Sequence, residues 1–347
     1  MGARLKLLKA SDVTRAIDMG EVLALVERAF NERGHGRVQM PPKSYLFFKE
    51  QDGDFRVMPA YLEALGQAGV KLVNVHPRNP STHGLPTVMA TIVLVSPESG
   101  EPICIMDGTS ITAMRTAAAS GVATRYLARP DSRMLGLIGA GYQSLYQIDA
   151  ISRVMTLERV AIYDVVREKA DNLAHLASSR LGIEARVCGA PGEAVQGSDV
   201  VVTVTPSTRP VVKSEWVADG MHFNCVGADA PGKQELDAAI LRRARVVVDD
   251  WEQASHSGEI NVPVSKGIVR KADIVAEIGE IVAGFKPGRT SDKEITVFDT
   301  TGLAVQDVIC AWRVYESARE KGLGVEIDSL YSHGSLPQQA SDRPKGE

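Results

Sequence analysis

Two groups of residues in this 347-residue chain have the types and spacing to do chemistry. The first is Gly139-Ala140-Gly141-Tyr142-Gln143-Ser144, set between an apolar run, RMLGLIG (133–139), and a stretch with Leu145, Ile148, Ile151 and Met155 at helical spacing. In a strand–turn–helix unit the first glycine permits a tight turn and the second lets the backbone approach a pyrophosphate. The helix N-terminus then offers that anion free N–H groups and a positive dipole. Ser144 is small enough for the third position. Asp164 ends the next strand-like run, RVAIYD, 25 residues after Gly139. That is close to where a carboxylate grips a ribose 2′-hydroxyl. Such an acid repels a 2′-phosphate, so NAD is favoured; Arg167, three residues on, keeps NADP possible.

The second group is cationic. Lys71 in GVKLVNVHP, Lys43 in MPPKSYLFF, Arg56 in GDFRVMP and Arg115 in ITAMRTAAAS all lie in apolar surroundings. Burying a cation is costly unless an anion or hydrogen bonds compensate. Four such residues in one module suggest a pocket for a small carboxylate, although each alone also fits an edge-strand charge facing water. Asp229, in VGADAPGKQELD, follows a strand-like run, where doubly wound sheets place ligands; a turn or cap aspartate reads the same way. His76 and His83, beside Pro and Gly, fit loop or supporting positions better than catalytic ones, and Ala117-Ala118-Ala119 fits close helix packing.

Positioning these residues requires two architectures. From 133 onward, strand-like runs at 159–164, 184–188, 199–205, 222–227, 245–250 and 294–302 alternate with helical stretches, which predicts an α/β, Rossmann-type doubly wound parallel sheet. The first 128 residues instead pair a helix at 18–30 with runs at 43–48, 54–58, 69–75, 87–96 and 101–106, an α+β module with a mostly antiparallel sheet. A helix near 109–128 leads into the parallel sheet, and another near 303–321 is expected to cross back onto the first module. The tail from about 331 is polar and reads as loose.

A formal charge of −4 and a pI near 6.0 argue against a nucleic-acid or membrane-surface binder. No apolar run approaches the ~20 residues that span a bilayer. MGARLKLLKASD is too short in its apolar part for a signal peptide. Cys104, Cys188, Cys225 and Cys310 form no C-x-x-C pair and read as buried free thiols, which points to the cytoplasm. No ligand spacing suggests a metal.

Together these segments resemble the ornithine cyclodeaminase/μ-crystallin family, most closely its archaeal-type alanine dehydrogenase branch. The matching stretches are MPPKSYLFF, GDFRVMPAYL, GVKLVNVHPRNP, GLPTVMATIVL, MDGTSITAMRTAAASG, GLIGAGYQS, VGADAPGKQELD, SHSGEINVPVSKG and FDTTGLAVQD. The resemblance implies a substrate-binding and dimerisation domain (1–128 with 303–347) and an NAD-binding domain (129–302), assembled as a homodimer. It implies substrate contacts at Lys43, Arg56, Lys71 and Arg115 and a catalytic acid at Asp229; Lys71 and Asp229 are then the candidates for moving protons, with pKa values that must be tuned by burial and by each other. Cofactor contacts would fall on Thr116, Gly139, Ala140, Gly141, Tyr142, Gln143, Asp164, Arg167, Thr205, Val226 and Gly227. The chain departs from the family at Lys43, where many cyclodeaminases carry arginine, and at Thr300-Thr301-Gly302, in place of a more usual Ser-Thr-Gly or Ser-Val-Gly. The implied activity is alanine dehydrogenase-like, on an amino acid, a 2-oxo acid with ammonia, or a cyclic imine. Ornithine or lysine cyclodeamination and ketimine reduction are alternatives. So, in another class, is a non-catalytic NAD(P)H-binding protein.

Overall fold

The computed structural model describes residues 4–328, which build two eight-stranded sheets. The first contains β1 (Arg4–Leu8), β2 (Val38–Gln39), β3 (Ser44–Phe48), β4 (Gly53–Leu62), β5 (Gln67–Val75), β6 (Val88–Val95), β7 (Pro102–Asp107) and β16 (Val325–Asp328). Its order is β16-β1-β7-β6-β5-β4-β2, with β3 paired to β4. Every pairing is antiparallel except β1 with β7. In the central strand β5, Lys71 faces Met58 of β4 and Ile92 of β6 across the ladder. Burial alternates along these strands, so Arg56, Met58 and Ala60 share the covered face with Lys71 and Val73.

Three helices lie with this sheet: Met19–Gly34, Thr109–Leu127 and Ala304–Glu320. The first is capped by Asp18, whose carboxylate accepts from the Gly20 and Glu21 N–H groups, and it runs four residues past the predicted end. The helix Ala304–Glu320 returns from the second sheet to pack on β4, β5 and β6. The sequence reading missed β1, its partner β16, the short helix Ala10–Ala16 and β14 (Ile274–Glu277). In β1 a lysine interrupts the apolar alternation. Lys6 is nonetheless buried, with its ammonium on the Leu323 carbonyl at 3.1 Å and Glu326 at 3.3 Å, both more than 300 residues away. The predicted loose tail lies outside the described residues.

The second sheet adds β8 (Met134–Ile138), β9 (Arg159–Tyr163), β10 (Glu184–Val187), β11 (Val200–Thr203), β12 (His222–Cys225), β13 (Ala244–Val248) and β15 (Ile295–Asp299) to β14. The order β10-β9-β8-β11-β12-β15-β13-β14 is parallel throughout, and the chain reverses its direction of build between β8 and β11. The central strands β8, β11, β12 and β15 are buried on both faces, as near-continuous apolar runs require, while the edge strand β10 is not. All four cysteines are free and buried.

Gly136 in β8 lets the Pro191–Val195 helix lie on the strand: a Cβ there would sit 2.2 Å from the Ala194 carbonyl oxygen. Gly136→Ala must therefore displace that helix, and we expect a loss of at least about 2 kcal/mol in urea unfolding. An unchanged midpoint would show that the contact yields freely.

Candidate active site

The four cations of the sequence reading converge where the first sheet meets the carboxyl ends of the second. Lys71 and Arg115 are buried, at 1% and 5% exposure, which removes the edge-strand reading for both. They share one partner. Asp307, wholly buried on the first turn of the helix Ala304–Glu320, places Oδ2 2.7 Å from the Lys71 ammonium and Oδ1 2.9 Å from Arg115 Nε. Arg115 also donates to Gln306 Oε1 at 3.3 Å, and Lys71 reaches Thr112 Oγ1 at 3.4 Å. Burial, with Arg115 adding repulsion and Asp307 opposing, pulls the Lys71 ammonium down to about 7.

Lys43, half-buried, donates to the Thr301 carbonyl at 2.5 Å. The loop 300–302 is held from beneath by Asp249, whose Oδ2 accepts from the N–H groups of Thr301 (2.7 Å) and Gly302 (2.8 Å). Gly302 has φ +79° and lies against Arg115; a Cβ there would be 2.3 Å from the guanidinium. The Thr-Thr-Gly departure thus keeps the backbone geometry that the site uses.

Arg56 is clamped by Asp54 on its own strand, at 2.8 and 2.9 Å, and by Asp229 Oδ2 at 2.9 Å, and it lies over the Tyr45 ring. Asp229 also takes Lys233 at 2.5 Å. Partial burial opposes its ionisation, yet Arg56 and Lys233 hold the Asp229 carboxyl well below the usual carboxylate range. The expected mutual tuning of Lys71 and Asp229 is therefore corrected. Each has its own counter-ion, Asp307 for one and Arg56 with Lys233 for the other.

The glycine loop lies at the end of β8, where the build direction reverses. Gly139 has φ +105°, and a Cβ on it would meet the Val204 carbonyl oxygen at 2.7 Å, so glycine is required. A Cβ on Gly141 would project into open space, the room a pyrophosphate needs. Ser144 is buried and donates to the Gly139 carbonyl, opening the helix Ser144–Ser152. Asp164 accepts from Ala140 N at 2.7 Å and Val166 N at 2.8 Å, which ties the acid to the loop. The residues fit a dinucleotide. Tyr142 is exposed, and Gln143 keeps a buried, unpartnered Oε1. Arg167 is exposed and turns to Asp171 at 3.4 Å. Thr116 is half-buried beside Arg115. The Val226 side chain is buried in the apolar cluster that includes Leu137 and Val202, which leaves its main chain for the expected cofactor contact.

Sequence reasoning missed the acids behind these loops. Glu235, fully buried, accepts from Thr205 N (2.7 Å), Thr205 Oγ1 (2.8 Å) and Gly227 N (2.9 Å), which pins two expected cofactor positions together. Glu259 accepts from the N–H groups of Glu235 and Leu236, and Asp299 from that of Ile260. The signal was present as EL in GKQELD, GE in SHSGEI and FD in FDTTG, but a lone acid beside a glycine reads first as a cap. Among the described residues no side-chain cluster suits a metal, and no helix is long and apolar enough to cross a membrane.

A Rossmann-type parallel sheet with a glycine loop at its switch point, facing an antiparallel sheet that carries a buried cation cluster, defines a two-sheet dinucleotide-binding class. The chain belongs to the ornithine cyclodeaminase/mu-crystallin family, whose model matches residues 4–322. It is 51% identical over 321 residues to an alanine dehydrogenase from Archaeoglobus fulgidus, covering 92% of this chain and 97% of that one. Among solved structures it resembles an archaeal alanine dehydrogenase dimer with bound NAD at 50% identity and TM-score 0.90, over 94% of this chain and 99% of that one. It also resembles the Δ1-pyrroline-2-carboxylate reductase of Thermococcus litoralis in complex with NADH and L-proline, at 40% identity and TM-score 0.90, over 93% and 100%.

Burial, with repulsion from Asp249 and Glu235, pushes the Asp299 carboxyl up to about 8 against the backbone N–H bonds it accepts. In the unfolded chain the same group ionises near pH 4. Between those values the folded protein binds the extra proton, so this group makes stability fall as pH rises, until about pH 8. Asp299→Asn should flatten the slope of urea midpoint against pH between 5 and 8. Equal slopes in the two proteins would refute the buried proton.

Proposed function

We propose that this chain is a NAD-dependent oxidoreductase acting at the Cα–N bond of a small amino or imino acid. In the alanine dehydrogenase-like reading, an L-amino acid, NAD and water give a 2-oxo acid, ammonia and NADH, reversibly. The observation that carries it is the pair Lys71 and Arg115, two buried cations that share one carboxylate beside Lys43 and Arg56. Such a cluster suits a single carboxylate ligand, and relatives near half identity act on amino acids.

The loop Gly139–Ser144 would hold the pyrophosphate and Asp164 the ribose, with Thr116, Thr205, Val226 and Gly227 lining the other end. When bound, the nicotinamide supplies the hydride acceptor. The protein's own share begins with orientation. Arg115, Lys43 and Arg56 would fix the substrate carboxylate, and positioning of this kind can supply about 7–11 kcal/mol of a barrier. Lys71, about half-charged near neutral pH, is suited to give or take a proton at the substrate nitrogen or at the water that attacks the imine carbon. Asp229 is a second proton site whose basicity depends on Arg56.

A cyclic imine is the second reading, supported by the likeness to the reductase that holds L-proline. An acid at Asp164, which would meet the ribose, favours NAD over NADP, with NADP still possible through Arg167. Residues 129–302 would form the cofactor domain, and 1–128 with 303–347 the substrate and dimerisation domain. A homodimer is supported by the dimeric archaeal relative and by the exposed apolar strand β3, where Leu46, Phe47 and Phe48 face out. Four reduced cysteines support a cytoplasmic setting.

Spectrophotometric NADH oxidation with pyruvate plus ammonia, other 2-oxo acids plus ammonia, and cyclic imines tests the reading directly. Lys71→Ala should remove most turnover and leave NADH binding nearly intact; an unchanged kcat would refute its role. Asp164→Ala loses charge-assisted bonds to the loop and the ribose, and we expect NADH affinity to fall about tenfold or more. Equal affinity by fluorescence titration counts against the ribose contact.

A further inference from the structure

Asp307 sits on the first turn of the helix Ala304–Glu320, where an acid is ordinarily explained by the helix dipole. Its surroundings ask for more. The carboxylate is wholly buried and spends one oxygen on each of two cations from two other elements, Lys71 of β5 and Arg115 of the helix Thr109–Leu127. Two buried positive charges against one negative charge leave an excess that one carboxylate ligand neutralises. Both cations also keep donors in reserve. Arg115 Nη2 makes no hydrogen bond among the described residues, and Lys71 has only the long contact to Thr112 besides Asp307.

We propose that Asp307 is a positioning residue, the single buried carboxylate that fixes both the separation of Lys71 and Arg115 and the charge of Lys71. The role rests on the oxidoreductase reading above. Its physical content is separable from that reading, because it concerns a titration within the cofactor-free protein. The groups facing Lys71 are Asp307 from the closing helix, Arg115 and the neutral Thr112 from the helix Thr109–Leu127, and Lys43 from the segment before β3. Its sheet neighbours, Met58 and Ile92, carry no charge. Asp307 is thus the one anion directly on Lys71 among the described residues, set against two cations and the cost of burial. Taking its charge away removes the term that favours the ammonium, so Lys71 must lose its proton at lower pH.

The test compares the native protein with Asp307→Asn, which keeps the shape and deletes the charge. Lysine-labelled NMR of the cofactor-free protein, with the Lys71 signal assigned from Lys71→Met, reads the titration without turnover. We expect native Lys71 to titrate near neutrality and the Asn variant to do so about one pH unit or more lower. The Lys71-dependent limb of kcat/KM against pH, measured with NADH and a 2-oxo acid plus ammonia, should move in the same direction, while NADH binding stays unchanged. An unmoved titration, or an unmoved limb in an active enzyme, overturns the proposal. If the Asn variant does not fold, Asp307→Glu keeps the charge and shifts it by one methylene. That variant should hold the Lys71 titration near its native pH and lose about tenfold or more in kcat/KM; native kinetics would overturn the positioning role. Failure of the functional reading shows separately, as a native protein with no turnover on any substrate of the panel.

Discussion

A lysine ammonium taken out of water needs an anion, and much of this fold follows from where that anion comes from. Lys71 lies in the middle of an antiparallel sheet, with apolar neighbours on both flanking strands. No strand of that sheet supplies its counter-ion. Asp307 does, from a helix that begins after the last strand of the other sheet, and the same carboxylate serves Arg115 192 residues away in sequence. The helix Ala304–Glu320 is therefore part of the first module's core and electrostatics, although it follows the second in the chain. Removing either partner of such a buried set would leave an uncompensated charge, which is far costlier than replacing the whole set by apolar residues. The arrangement makes sense if the excess positive charge is meant for a ligand.

The second sheet uses the same device with main-chain donors in place of cations. Asp249 gathers the N–H groups of Thr301 and Gly302, and Glu235 those of Thr205 and Gly227. In each case a buried acid stiffens a loop at a strand's carboxyl end, where a ligand would need a fixed surface. The cost appears as protons. Burial pushes the Glu235, Glu259 and Asp299 carboxyls upward, and repulsion from Glu235 adds to the shift of the other two.

The parts of this arrangement visible in the sequence are those with local signatures. The glycine loop with Asp164 declares itself through a strand–turn–helix spacing, and the parallel strands through apolar runs ending in glycine or acid. The cations stood out because charge inside an apolar run is expensive. What stayed hidden is pairing over distance. Asp307 lies within FDTTGLAVQD, but nothing nearby says that it reaches Lys71 rather than capping its own helix. Glu235 and Glu259 look like turn acids, and only the packing of loops from β11, β12 and β13 reveals the N–H groups they gather. The union of β1 with β16 joins the two ends of the described chain, and Lys6 disguised the strand. The supposed partnership of Lys71 with Asp229 failed for the same reason: proximity to one site does not say which charges touch.

The pair Arg56–Asp229 spans the two walls, since Arg56 belongs to β4 and Asp229 to the loop after β12. Asp54 supplies two bonds to Arg56 from the same strand, so the arginine would stay charged and oriented if Asp229 let go. If Arg56 binds the substrate carboxylate, as proposed above, that ligand would compete with Asp229 for the one guanidinium nitrogen it uses. As that contact weakened, Asp229 would keep Lys233 but lose part of the attraction that holds its proton affinity down. A carboxylate ligand drawn to Arg56 would thus raise the basicity of Asp229, because it would weaken an attraction that favours the ionised form.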